Sequence, residues 1–299
     1  MKIAELTLKN PVITASGTFG YGVDEAQKVD IDVLGAIICK GIFLRSREGN
    51  PQPRLVETPA GLLNSIGLQG IGVDALIKDY ATVWAKWNTP VIVNICGESI
   101  DEYAELARRL DGVDGVSGLE VNISCPNVHK GCMEFGTDPD VAAQITSRVR
   151  GATKLPLMVK LTPNAPDIVA VAQAVADAGA DAVSLINTIV GMAIDVETQK
   201  PVLPNVTGGL SGPAIKPIAL AMVYKVAQAV DIPVIGVGGI ASASDALEFI
   251  LAGASAVQVG TAAMISPKVF TDIVDGIDEY VRKSNLNSVS QLVGKAGLL

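Results

Sequence analysis

Short runs of aliphatic and β-branched residues recur along the chain, most of them followed by a stretch with helical spacing of its apolar positions. The runs cover residues 12–17, 36–41, 91–96, 119–124, 157–161, 182–187, 234–238 and 256–260. Pro11, Pro90, Pro156 and Pro233 set the entering turn of four of them, and Gly179-Ala180 and Gly253-Ala254 precede two more. Helical patterns lie between, at 100–110, 167–178, 217–230 and 243–251. The runs are apolar on both faces, as strands must be when helices cover a parallel sheet. Eight strand–helix units in sequence predict an α/β chain folded as a single (β/α)8 barrel domain over residues 1–299. No linker or low-complexity stretch divides it. Residues 1–10 predict a short N-terminal strand pair at the barrel bottom.

In such a barrel the chemistry sits at the C-terminal ends of the strands. Polar side chains or glycines stand at every one of those ends: Ser16, Lys40, Asn94, Asn122 with Cys125, Lys160, Asn187-Thr188, Gly238-Gly239 and Gly260-Thr261. Any one of them has a structural explanation. A complete ring in otherwise aliphatic runs points to a binding site.

Composition supports the barrel and narrows its partners. Residues are 49% hydrophobic but only 4% aromatic, with 30 glycines, so small aliphatic side chains must build the core. The net charge is −8 and no basic cluster appears, which sets nucleic acid aside as a ligand. The N-terminus has no signal-peptide pattern, and no apolar run reaches the ~18 residues that span a bilayer. A soluble cytoplasmic protein without a membrane anchor is expected. The single histidine, His129, falls in a glycine-containing loop and excludes His-rich metal sites and most triads. Cysteines at 39, 96, 125 and 132 lack the spacing of an iron–sulfur motif, and Cys39 and Cys96 lie within strand patterns that suit packing.

The segment Glu120-Val121-Asn122-Ile123-Ser124-Cys125-Pro126-Asn127 concentrates the candidate chemistry. It delivers a thiol at a strand mouth among amide side chains, and the following proline ends the strand. A buried packing cysteine is the plain alternative. The neighbours Asn122, Ser124 and Asn127 favour an acid–base or nucleophilic role on a small polar ligand.

At the last two units the glycines Gly236, Gly238, Gly239 and Gly260 let backbone N–H groups approach a phosphate, helped by the start of the next helix. Residues 236–241 also match a dinucleotide pattern, but Gln258 stands where an acidic ribose ligand is wanted. A mononucleotide cofactor fits better, with residues 208–213 as a loop closing over it. Lys160, deep in its strand, needs an acceptor, which the N1/O2 edge of a flavin supplies. Lys40, with the loop Asn64-Ser65-Ile66-Gly67-Leu68, suits a substrate carboxylate. The alternatives are a snorkelling Lys40 and a salt-bridged Lys160.

These segments together resemble the class 1 dihydroorotate dehydrogenases, and within them the catalytic subunits of the NAD-dependent class 1B enzymes. The resemblance rests on Ala15-Ser16-Gly17, Cys39-Lys40-Gly41, Arg47-Glu48-Gly49-Asn50-Pro51, Glu57-Thr58-Pro59-Ala60-Gly61, residues 64–68, 122–127, Phe135-Gly136-Thr137-Asp138, Gly209-Leu210-Ser211-Gly212 and 236–240. It covers almost the whole chain. Cys132 departs from it, where a small residue such as glycine is expected. Class 2 relatives use serine as the base and carry an N-terminal membrane segment; this chain has Cys125 and no such segment among its residues.

The resemblance implies FMN held by Ser16, Lys40, Gly41, Asn94, Asn122, Lys160, Ile186, Gly212, Gly238, Gly239, Gly260 and Thr261. It implies dihydroorotate held by Lys40, residues 64–68, Asn122, Asn187 and Thr188. Cys125 would remove the C5 proton as C6 gives a hydride to the flavin, in the pathway to UMP. It further implies a homodimer core joined by an electron-transfer subunit carrying FAD and a 2Fe–2S cluster, a heterotetramer that passes electrons to NAD+. A fumarate-dependent class 1A enzyme is the nearest alternative, and a flavin-free phosphate-binding isomerase or lyase barrel is a more distant one.

Overall fold

The computed structural model of the protein describes residues 2–3, 5–123 and 135–297. Eight parallel strands follow one another around a nearly closed barrel: Val12–Thr14, Ile37–Ile38, Val91–Ile95, Gly118–Asn122, Leu157–Lys160, Ala182–Leu185, Val234–Val237 and Ala256–Val259. Seven lie inside the runs expected from the pattern, and the fourth begins one residue before its run. Strands one and two are the short ones. They close the ring through a single bridge between Ile13 and Ala36, with Gly35 N–H donating to the Val12 carbonyl at 2.8 Å.

Side-chain alternation explains the inside of the barrel. Ile13, Ile38, Ile92, Met158, Ala182, Ile235 and Ala256 meet in one buried cluster, with Leu8 and Leu6 at its lower edge. The expected strand pair, Lys2–Ile3 against Leu6–Thr7, leads into this plug. Two residues further along, five of these strands bring Lys40, Asn94, Lys160, Ser184 and Gln258 to the same face, and strand four adds Glu120. The barrel floor is thus apolar, the middle polar, and the upper rim a site.

The outer helices begin and end where their caps dictate. Ser99 accepts from the Glu102 N–H to start Ile100–Leu110, and Asp167 accepts from Val169 and Ala170 to start Ile168–Asp177. Lys216–Ala227 and Ala243–Leu251 occupy the other two expected positions. Pro139–Arg150 and Val269–Lys283 complete the wall.

One element differs from the sequence expectation. Residues 208–213 are not only a loop, because Thr207–Ser211 pairs antiparallel with Gly61–Asn64 and with Ile189–Met192, and Leu55–Thr58 forms the outer edge. Glycine makes this possible. A Cβ on Gly61 would lie 1.9 Å from the Ser211 carbonyl oxygen, and one on Gly209 would lie 2.1 Å from Thr188 Oγ1.

Candidate active site

A cavity of about 560 Å³ opens at the C-terminal ends of the strands. Ser16, Lys40, Gly41, Asn94, Asn122, Lys160, Ile186, Asn187, Thr188, Gly212, Gly238, Gly239, Gly260 and Thr261 all line it, as do Asn64, Ile66 and Leu68 of the expected carboxylate loop. Ser65 and Gly67 do not. Strand alternation turns Ser65 inward, where it is 1% exposed and accepts from Asn50 Nδ2 at 2.9 Å. Gly67 has φ +71°, and a Cβ there would lie 2.4 Å from Asn50 Oδ1. These two residues hold the loop against Asn50 and leave Asn64, Ile66 and Leu68 to face the cavity. Cys125, with Ser124, Asn127, His129 and Cys132, lies outside the described residues.

Three asparagines from three strand ends form a directional relay. Asn187 Nδ2 donates to Asn122 Oδ1 at 3.4 Å, and Asn122 Nδ2 donates to Asn94 Oδ1 at 3.3 Å. The Tyr103 hydroxyl donates to the Asn122 carbonyl at 2.9 Å and fixes the end of strand four from behind. Each amide offers one donor edge and one acceptor edge, suited to the amide and imide edges of a small heterocycle.

The two lysines differ in surroundings. Lys160 is 3% exposed and donates to Ser16 Oγ at 3.2 Å, with the Glu120 carboxylate 3.9 Å away. The salt-bridged alternative for Lys160 is therefore realised together with its position in the cavity wall. Lys40 is half-buried beside another cation. Burial pulls its ammonium below the usual lysine range, and the Arg54 charge pushes it the same way. A second cation beside a half-buried ammonium makes this end of the cavity receptive to an anion.

The glycine loops meet at the opposite end. Gly238 and Gly239 have φ +130° and +73°, and Gly212 has φ +94°. A Cβ on Gly239 would lie 2.8 Å from the Gly212 carbonyl oxygen and 2.9 Å from the Lys216 nitrogen. Thr261 donates its hydroxyl to Ser211 Oγ at 2.8 Å beside them. The helix contribution expected here is smaller than the pattern suggested. The helix after strand eight, Thr261–Ile265, has only 5 residues. The one after strand seven is already capped by Ser242, and the Ala241 N–H donates to Asp245. Glycine backbone, more than a helix start, shapes this end.

A family profile described as dihydroorotate dehydrogenase matches residues 1–281. The chain belongs to the dihydroorotate dehydrogenase family. It is 58% identical to a protein of Pelobacter propionicus named dihydroorotate dehydrogenase B (NAD(+)), catalytic subunit, over 98% of this chain and 97% of that one. It is 56% identical to a protein of the same name from Desulforamulus reducens, over 100% of this chain and 98% of its relative. The crystal structure of the Eimeria tenella dihydroorotate dehydrogenase in complex with ferulenol superposes with a TM-score of 0.84. It has 22% identity and covers 99% of this chain and 87% of that one, so the likeness establishes the barrel fold. No helix among the described residues is long and apolar enough to cross a membrane.

Two residues of this dihydroorotate dehydrogenase, one lining the cavity and one beneath it, were not singled out from sequence. Arg54 lines the cavity and is fixed by bonds to the Asn50 and Glu48 carbonyls and to Gln69 at 3.0 Å. Its signal was the run Asn50-Pro51-Gln52-Pro53-Arg54, whose prolines stiffen the approach to a cation. Glu120 carried a plainer signal, a carboxylate inside an apolar strand.

Proposed function

We propose that this chain is the catalytic subunit of an NAD+-linked dihydroorotate dehydrogenase, binding FMN and dihydroorotate in the one cavity and oxidising the latter to orotate in cytoplasmic pyrimidine synthesis. The observation that carries this is the shared cavity itself. An anion-receptive end at Lys40, the asparagine relay and a glycine-built cradle all open onto it. A single barrel domain over residues 1–299 holds all of them.

The residues present fit FMN. The cradle of Gly212, Gly238, Gly239 and Gly260 offers backbone where side chains would intrude, and Thr261 adds a hydroxyl. Ser16, Gly41, Asn94, Asn122, Lys160 and Ile186 would surround the ring. A Cβ on Gly41 would lie 2.8 Å from Asn94 Oδ1, so the wall is thin there by necessity. When bound, FMN supplies the hydride acceptor that no side chain can provide.

The chain's own residues do the rest. Lys40 balances the substrate carboxylate, with Asn64, Ile66 and Leu68 enclosing it. Asn122 and Asn187, with Thr188 beside them, orient the heterocycle. Cys125, three residues after Asn122, takes the C5 proton as general base. Lys160 places a positive charge in the cavity wall.

For NAD+ reduction, electrons would leave through another polypeptide. Among the described residues no three His, Cys, Asp or Glu side chains cluster as metal ligands, and Cys39 and Cys96 are both buried. We infer a partner subunit with FAD and a 2Fe–2S cluster on a homodimer of this chain, giving a heterotetramer. The test is to purify this chain alone. It should be yellow with FMN and reduce dyes with dihydroorotate, yet reduce NAD+ efficiently only with the partner. Fast NAD+ reduction by the chain alone contradicts the partner, and fast fumarate turnover favours a class 1A enzyme.

A further inference from the structure

Among the described residues Glu120 is the one carboxylate of the barrel's polar middle, and nothing in the proposed chemistry uses it. It is fully buried. Four strands supply its neighbours. Ser184 Oγ donates to its Oε1 at 3.1 Å, Gln258 Nε2 donates to the same oxygen at 3.3 Å, and Asn94 Nδ2 donates to Oε2 at 3.4 Å. The Lys160 ammonium lies 3.9 Å from Oε1. Burying a carboxylate this deeply is costly, and the fold keeps it against that cost. Among the described residues Gln258 Oε1, by contrast, has no hydrogen-bond partner. The glutamine is therefore turned to serve the carboxylate at its own expense.

A carboxylate only accepts hydrogen bonds, so it dictates which edge of a neighbouring amide faces it. Asn94 must present its NH2 to Glu120, which leaves Asn94 Oδ1 for Asn122. Asn122 then spends its NH2 on Asn94 and offers Oδ1 to Asn187. The same group lies beside Lys160 from below, while Ser16 Oγ accepts a hydrogen bond from the ammonium at the side.

We propose that Glu120 is the positioning residue of this site: from the barrel interior it holds the Lys160 ammonium in place in the cavity wall and sets the polarity of the Asn94–Asn122–Asn187 relay. It touches neither substrate nor cofactor. This role rests on the flavin placement above.

The sign of one measurement separates this role from simpler ones. A lysine charge beside a flavin favours the reduced, more negative form and raises its reduction potential. If Glu120 were only a nearby anion, Glu120→Gln would raise the potential further. If it secures Lys160, the same change lowers it, because a buried ammonium without its carboxylate neighbour loses its place in the cavity wall.

The experiment is a spectroscopic redox titration of the bound flavin in four holoproteins: unaltered, Glu120→Gln, Lys160→Ala and the double variant. The expected result is a fall in potential for Glu120→Gln toward the Lys160→Ala value, weaker FMN retention, and no further fall in the double variant. A rise, no change, or an equal shift in the Lys160→Ala background would overturn the role while leaving the flavin placement intact. A colourless unaltered chain would remove both. Should Glu120→Gln not accumulate as folded protein, Ser184→Ala poses the same question by removing one donor to Oε1. A smaller fall that vanishes beside Lys160→Ala supports the role, and no fall overturns it.

Discussion

Asn187 Nδ2 donates to Asn122 Oδ1 across 3.4 Å, joining the mouths of strands six and four between residues 65 apart in sequence. Asn122 is the middle of the relay, bonded to an amide on either side. Asn122→Ala should therefore weaken orotate binding by more than one lost contact. Loss of buried hydrogen bonds at roughly 1–3 kcal/mol implies an affinity loss of about fivefold to 150-fold. Titration of the flavin absorbance with orotate measures it. An unchanged affinity would remove the relay from substrate binding.

Cys125→Ala should still bind orotate but reduce its flavin about 10²–10⁴-fold more slowly in a stopped-flow measurement, the usual cost of losing a general base. Cys125→Ser should recover rate mainly at high pH, since a hydroxyl ionises less readily than a thiol. A wild-type rate in Cys125→Ala across pH assigns the base elsewhere.

Cys39 provides an internal control for thiol chemistry. Burial pushes its thiol up to about 12, and it stays neutral at physiological pH. Alkylation of the folded protein followed by peptide mass mapping should leave Cys39 unmodified until denaturant is added. Rapid labelling of Cys39 in the folded chain would show that the strand-two end opens readily.

Orotate binding should depend on pH through Lys40. Burial and Arg54 lower its proton affinity in the free protein, and a bound carboxylate restores it. Binding should thus be strongest below the free-protein value, weaken as pH rises through it, and take up a proton in that window. Calorimetry in buffers of different ionisation enthalpy reads the proton directly. No proton uptake anywhere below the ordinary lysine range would place the carboxylate away from Lys40.

Gly239→Ala tests the cradle. Its φ of +73° strains any side chain, and the added methyl would lie 2.8 Å from the Gly212 carbonyl oxygen. A cost of about 1–3 kcal/mol in stability is expected, together with loss of FMN from the purified protein. A variant of normal flavin content and melting temperature would show that the two glycine loops need not touch.

The sequence alone determined the barrel and most of its rim. A strand buried on both faces must be apolar along its length, so each of the eight runs was visible without knowledge of its neighbours. Side-chain alternation then made Asn94, Asn122 and Lys160 legible as deliberate interruptions, and Gly238-Gly239 as a backbone surface. Pairings between remote segments left no such local trace. Gly61–Asn64 meets Thr207–Ser211 because glycines allow the approach, and neither segment has strand periodicity to announce it. That pairing ties Asn64 Nδ2 to the Gly209 carbonyl, 145 residues away, at 3.1 Å. The inward turn of Ser65 was hidden for the same reason. Glu120 shows the division most clearly. Its charge in an apolar strand could be read from the chain, but Ser184, Gln258, Asn94 and Lys160 converge on it only because barrel closure stacks four other strands at one level.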